Sequence, residues 1–261
     1  MNYTFQARTD PGRVRENNED ALAIDNETRL CVLADGMGGY NAGEIASGMA
    51  TAFIKSEMAR WLSEVGKHAK IKEIRRALEI CVDNANRSVF NASDANPQYF
   101  GMGTTLVVGV FHDAHLILGH IGDSRCYRLR DGQLAQITKD HSLLQEQIDA
   151  GLVTQEQAAS SSIKNLVTRA LGVEDTVMME LKEHEVEPGD WYLMCSDGLS
   201  DMVDDAEIAS ILGGSISIEN KADRLVAAAN QHGGKDNISV LLIHADVALE
   251  KRGLISRLLG K

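Results

Sequence analysis

The sequence predicts an α+β fold in which a mainly antiparallel sheet system is flanked by helices. Two long segments, residues 43–65 and 70–90, carry apolar residues at helical spacing. Between residues 104 and 138 the pattern changes to short strand-like runs. The breaks within that stretch are His112-Asp113, Gly122-Asp123 and Asp131-Gly132, too short for the crossover helix that parallel strands require. A doubly wound parallel fold is thereby excluded.

The elements follow in order. A strand-like start at residues 3–8 leads into a polar, turn-rich stretch over 10–20. Residues 30–34 form a short apolar run, read as a buried strand that stops at Asp35-Gly-Met-Gly-Gly39. The first helix places Ile45, Met49, Phe53, Met58 and Leu62 near one face. The second does the same with Ile71, Ile74, Leu78, Val82 and Val89. Strands are expected at 104–110, 114–121, 124–130 and 134–138, forming antiparallel meanders. Residues 142–170 read as polar, short helices with a weak core pattern. Strands at 191–195 and 238–244 enclose helices at 206–212 and 219–231.

Composition narrows the function classes. The chain has 261 residues, 44% of them hydrophobic, enough for one domain with a real core. Its net charge of -12 is spread along the chain and argues against nucleic acid or an anionic membrane as main partner. Cys31, Cys81, Cys126 and Cys195 form no CxxC pair and are expected to be reduced core residues. No apolar run reaches the ~18 residues of a membrane span, and residues 1–8 lack a secretory core, so the expected location is the cytoplasm.

Acidic residues recur at strand ends beside glycine or asparagine: Glu19-Asp20, Asp35-Gly36, Asp123 after Gly122, Asp197-Gly198 and Asp236-Asn237. A single Asp-Gly pair is usually a turn. Asp35 and Asp197, however, each stand just past an apolar run, and the neighbouring glycine leaves backbone room for a ligand. Clustered carboxylates suit Mg²⁺ or Mn²⁺, which prefer oxygen ligands. Zinc would call for His or Cys, and no HExxH is present.

Taken together, these segments resemble the metal-dependent protein phosphatases, the PPM or PP2C family, in their compact bacterial form. The resemblance rests on Gly12-Arg-Val-Arg-Glu-Asn-Asn-Glu-Asp20, Asp35-Gly-Met-Gly-Gly39, Gly101-Met-Gly-Thr-Thr105 and Gly119-His-Ile-Gly-Asp-Ser-Arg125. It continues through Thr138-Lys-Asp-His-Ser142, Cys195-Ser-Asp-Gly-Leu199 and Gly233-Gly-Lys-Asp-Asn237, all in family order and over nearly the whole chain. It implies a four-layer α-β-β-α sandwich of two antiparallel sheets between helices. Residues 1–247 would be the phosphatase domain, with a flap insertion at about 142–170.

The resemblance also implies an activity and its residues. The chain would be a protein serine/threonine phosphatase using a metal-activated water and no phosphoenzyme, with two core Mn²⁺ or Mg²⁺ ions. Asp35 would bridge the two ions, and Asp197 and Asp236 would complete the first site. The second would use the carbonyl of Gly36, Glu19 through water and Asp20 as outer support. Asp123, with Asp197, would hold a weaker third ion. Arg15 resembles the phosphate-binding arginine, with Arg13 as its competitor. Implied partners are phosphorylated Ser/Thr proteins and a cognate Ser/Thr kinase, with the enzyme a monomer.

Several departures qualify this. Met37 stands where many eukaryotic relatives carry a histidine proposed as general acid, and methionine donates no useful proton. Ser160-Ser-Ser-Ile163 replaces a His-Pro-containing flap stretch. His141 is read as anchoring the insertion through a hydrogen bond and His120 as a satisfied core residue. Residues 248–261 form a basic tail with Leu254, Ile255, Leu258 and Leu259 at helical spacing, either packed on the domain or a docking helix. Two other functions stay open: a small-molecule phosphoesterase, and a catalytically inactive phosphoprotein-binding module.

Overall fold

The computed structural model describes residues 1–39, 42–154, 157 and 166–247. The serine run at 160–163 and the tail at 248–261 lie outside the described residues.

Two antiparallel sheets stack face to face. The first contains β1 (Asn2–Asp10), β7 (Arg125–Arg130), β8 (Gln133–Gln136), β10 (Trp191–Cys195) and β11 (Ile238–Asp246), in the order β1-β11-β10-β7-β8. The second contains β2 (Asp20–Asp25), β3 (Leu30–Met37), β5 (Leu106–His112), β6 (His115–Ile121) and β9 (Glu180–Glu185), in the order β2-β3-β5-β6-β9. The short β4 (Gly103–Thr104) pairs with the end of β3.

Helices α1 (Ala42–Val65) and α2 (Ile71–Ala95) cover the outer face of the second sheet, packing on Leu30, Val32, Leu106 and Val108. On the first sheet, α5 (Asp205–Gly213) and α6 (Ile218–Gln231) do the same, against Tyr127, Leu193, Val240 and Leu242. Between the sheets lie Cys31, Leu33, Val107 and Leu118, facing Cys126, Tyr192, Met194 and Leu241. The four layers are thus helices, sheet, sheet, helices. Along β3, Leu30 and Val32 face the helices while Cys31 and Leu33 face the other sheet, the two-residue alternation of a strand. Both faces are apolar, which is why the segment reads as an unbroken run.

The helices differ from expectation in their buried face. In α1 the residues against the sheet are Ala42, Gly43, Ala46, Ser47, Ala50, Ile54, Met58 and Leu62, while Ile45, Met49 and Phe53 are only partly buried. Small side chains let the start of the helix approach the strands closely. A serine or aspartate side chain caps three of the shorter helices: Ser142 for α3 (Leu143–Asp149), Asp204 for α5 and Ser217 for α6.

Three readings change. The strand at 30–34 does not stop at Asp35 but runs on through Met37, because Asp20 pairs with Asp35 on one side and Gly103 with Met37 on the other. Residues 114–130 are not one meander: β6 and β7 belong to different sheets, and Gly122-Asp123 carries the chain between them. β9 was not foreseen, since its sequence Glu-Leu-Lys-Glu-His-Glu has few apolar residues on an edge strand. By contrast, Asp113 (φ 51°), and Asp131 with Gly132 (φ 50° and 76°), form the tight hairpin turns expected of them.

Candidate active site

Acidic side chains from both sheets meet at one end of the sandwich. β2 and β3 place Asp20 directly opposite Asp35. The backbone of Asp35 is fixed by threonines: its carbonyl accepts from the Thr105 amide (2.9 Å) and Thr104 Oγ1 (2.8 Å), and its amide donates to Thr105 Oγ1 (3.0 Å). Gly36 follows, and a Cβ there would lie 2.1 Å from the Gly43 carbonyl oxygen, so only glycine lets α1 start so close to the strand. The Glu19 carbonyl accepts from the Gly36 amide (3.1 Å) and from Ser47 Oγ (2.6 Å), locking Glu19 to both.

The other sheet contributes Asp197 and Asp236. Asp197 opens the short helix α4 (Asp197–Ser200) just after β10. Asp236 precedes β11, and its carboxylate accepts from the Asn237 amide (2.9 Å). A Cβ on Gly198 would fall 1.9 Å from the Asn237 carbonyl oxygen, so the two loops are in backbone contact. Asn237 ties in the 11–19 segment: its Oδ1 accepts from the Glu19 amide (2.8 Å), and its Nδ2 donates to the carbonyls of Pro11 (3.1 Å) and Asn17 (2.8 Å). Ser196 joins the sheets by donating to Asp20 Oδ2 (2.8 Å).

Arg15 Nη2 donates to Asp236 Oδ2 at 2.8 Å, with its own side chain more than half exposed. Arg13 instead bonds through its backbone amide to the Gly234 carbonyl (2.7 Å). Of the two arginines, Arg15 is the one with a described ion pair to a carboxylate of the cluster. Asp123 is buried at the crossover between the sheets, after Gly122 in a left-handed conformation (φ 97°).

The electrostatics are strained. Burial, then the charges of Asp20, Asp197, Asp123 and Asp236, raise the Asp35 carboxyl well above its ordinary range. Asp197 is likewise raised, by burial and then by Asp123, Asp236 and Asp201. Asp20 and Asp123 are each pushed up to about 6, chiefly by burial. Asp20 Oδ1 is buried with no hydrogen-bond partner. A carboxylate cluster that repels itself, with one guanidinium at its rim and an orphaned oxygen inside, has the donor chemistry that hard divalent cations take.

A second cluster does not fit a metal. His120, His141 and Glu180 have ligand atoms within 4.8 Å of one another. The Gly122 amide donates to His141 Nδ1 (3.2 Å), and the Arg169 guanidinium stands 3.4 Å from Nε2, a positive charge where a cation would have to bind. Burial also pushes the His141 pKa down to about 4, which keeps the ring neutral. The ring stacks on His120, whose Nε2 bonds the Lys139 carbonyl (2.8 Å). His141 also anchors the insertion, as its carbonyl accepts from the Thr168 amide (2.8 Å).

The structure brings Asp20, Asp35, Gly36, Glu19, Asp197 and Asp236 together, with Arg15 at the edge and Asp123 coupled to Asp197. Sequence reasoning missed Thr104, Thr105, Ser196 and Asn237, although all four lie in segments it singled out. Ser47 and Asp201 lay outside those segments and gave no signal.

The chain belongs to the protein phosphatase 2C family, whose model matches residues 12–238. Among individual relatives, "Serine/threonine phosphatase stp" of Listeria monocytogenes serotype 4b (strain F2365) is 36% identical over 249 residues, covering 94% of this chain and 97% of the relative. The crystal structure of the Mycobacterium tuberculosis serine/threonine phosphatase PstP/Ppp superposes with a TM-score of 0.86 at 38% identity, covering 94% of this chain and 100% of the solved one. The catalytic domain of PstP has also been solved in complex with 2 manganese ions, and matches with a TM-score of 0.81 at 38% identity over 94% of this chain and 99% of that one.

Proposed function

We propose that the chain is a metal-dependent protein serine/threonine phosphatase in which Asp35, Asp197 and Asp236, with the Gly36 carbonyl and Glu19, hold two Mn²⁺ or Mg²⁺ ions. The observation that carries this reading is the meeting of aspartates from both sheets with Arg15 bonded to Asp236. Asp20, held by Ser196, supports the cluster from behind, and Asp123 with Asp197 forms a weaker third position. When bound, paired divalent ions make water a nucleophile near neutral pH and neutralise phosphoryl oxygens.

The chain's own residues supply the rest. Arg15 is half-exposed and offers a forked set of donors to a phosphoryl group arriving from solvent. No cysteine can serve as nucleophile: all four are buried, and burial pushes the thiols of Cys81 and Cys195 up to about 12. A cysteinyl phosphoenzyme is thereby excluded, and the proposed reading has water attack directly. Met37 gives the leaving oxygen no proton, so that proton comes from water or from another group.

In this reading residues 1–247 are the catalytic domain and about 142–170 its flap. The enzyme works as a monomer in the cytoplasm, opposing a cognate Ser/Thr kinase. Among the described residues, no helix is long and apolar enough to cross a membrane.

Substrate class is tested by comparing turnover of a phosphothreonine peptide and a nucleoside monophosphate. The expected kcat/KM is at least ~100-fold higher for the peptide, a difference worth about 2.7 kcal/mol. Equal turnover would favour a small-molecule phosphoesterase.

A further inference from the structure

Side chains alternate along β3, so Met37 faces the same side as Asp35, roughly 7 Å further on at about 3.4 Å per residue. Met37 opens onto a groove of about 430 Å³ whose lining includes Thr168, Arg169, Val173, Val177 and Met178. Two of its apolar side chains are turned to water: Val173 is 48% exposed and Met178 is 75% exposed. Exposed apolar side chains gathered in a cleft mark a binding surface more often than chance.

The far wall of this groove is held in place. Gly103 pairs with Met37, and a Cβ on it would lie 2.6 Å from Val173 Cγ2, so Val173 rests directly on the Gly103 backbone. Thr104 and Leu171 exchange two backbone hydrogen bonds (2.9 and 2.8 Å). Asn86, buried in α2, accepts from the Gly172 amide (2.7 Å) and donates to the Glu174 carbonyl (3.0 Å). A wall fixed in this way binds without first having to be ordered.

We propose that this groove receives the substrate chain beside the phosphorylated residue and selects an apolar side chain two positions from it. The proposal rests on reading the carboxylate cluster as the phosphate site. In an extended peptide, side chains two positions apart share a face at roughly 7 Å, the same separation that divides Met37 from Asp35. A substrate strand aligned with β3, its phosphoresidue over the carboxylate cluster, would deliver its second neighbour to Met37, Val173 and Met178. Arg169 and Glu174, the two charged residues of the lining, give it no net sign, so apolar contact decides.

The test uses phosphothreonine peptides carrying Leu or Ala two positions from the phosphoresidue, on either side, with an aryl phosphate reporting the catalytic centre separately. The intact protein is expected to prefer one Leu peptide over its Ala counterpart by about tenfold in kcat/KM, mostly through KM. Met178→Glu places a charge on an exposed position and should reduce that preference to within about twofold. Val173→Thr, nearly isosteric, should weaken it as well. Hydrolysis of all peptides with no Leu preference, or a preference intact in both variants, overturns the groove. If neither peptide nor aryl phosphate is hydrolysed, the catalytic reading fails. Fluorescence titration of the same labelled peptides then decides the groove, and equal affinity for Leu and Ala overturns it.

Discussion

Asp35→Asn is expected to lower kcat on a phosphothreonine peptide by at least ~1,000-fold, about 4 kcal/mol of transition-state stabilisation. The carboxylate stands where both sheets bring their acids together, and a neutral amide cannot neutralise or bridge cations there. The same change should not unfold the protein. Asp35 is held at the backbone by Thr104 and Thr105, and those bonds survive the substitution. One source of repulsion among Asp20, Asp197, Asp123 and Asp236 is removed, and the new amide can donate to the unpaired Asp20 Oδ1. Thermal unfolding in chelator should therefore show a Tm equal to or above that of the intact protein. A variant that retains activity within tenfold would remove Asp35 from its assigned role, while one that is inactive because it is unfolded would fail the Tm measurement.

The second large effect is a reversal of pH dependence on adding metal. Asp20 and Asp123 titrate near 6 in the folded protein, chiefly through burial, against a reference of 3.8. The folded state therefore binds these protons more tightly than the unfolded state does. In chelator, the stability linked to these two groups is greatest with the carboxyls protonated and is lost as pH rises from about 4 through 6, on the order of 3 kcal/mol for a fully buried group. Asp35 and Asp197, raised further, extend the loss to higher pH. Below about 6.5 the effect is opposed by His141, whose depressed pKa makes protonation costly. Saturating Mn²⁺ inverts the trend, because cations bind the deprotonated carboxylates and the folded state alone. At 100 times Kd one site contributes about 2.7 kcal/mol, or roughly 5–10 °C in Tm for a chain of this size. Tm measured from pH 6 to 8 should fall in EDTA and hold or rise in Mn²⁺. Parallel curves would mean that metal does not occupy this cluster.

Most of the strands and all the long helices were legible because their burial follows simple periods. What could not be read was which strands share a sheet. β3, β5 and β6 are buried on both faces, so their sequences do not distinguish helix-facing from sheet-facing positions. The Gly122-Asp123 break looks like a hairpin turn locally, and only long-range pairing makes it a crossover. At the site, the aspartates stood out because charge beside glycine at the end of an apolar run is unusual. Asn237 and Ser196 did not, since an amide or hydroxyl could equally have capped a turn. Their roles come from partners far away in sequence: Asn237 with Glu19, and Ser196 with Asp20.

The most direct test is release of phosphate from a phosphothreonine peptide by the intact protein, first with Mn²⁺, then after EDTA, then with Mn²⁺ restored. Activity that appears with the metal, vanishes with the chelator and returns on restoration is the predicted result. Activity that persists in EDTA, or its absence with Mn²⁺ on both peptide and aryl phosphate, would contradict the reading of this cluster as a metal-dependent phosphatase centre.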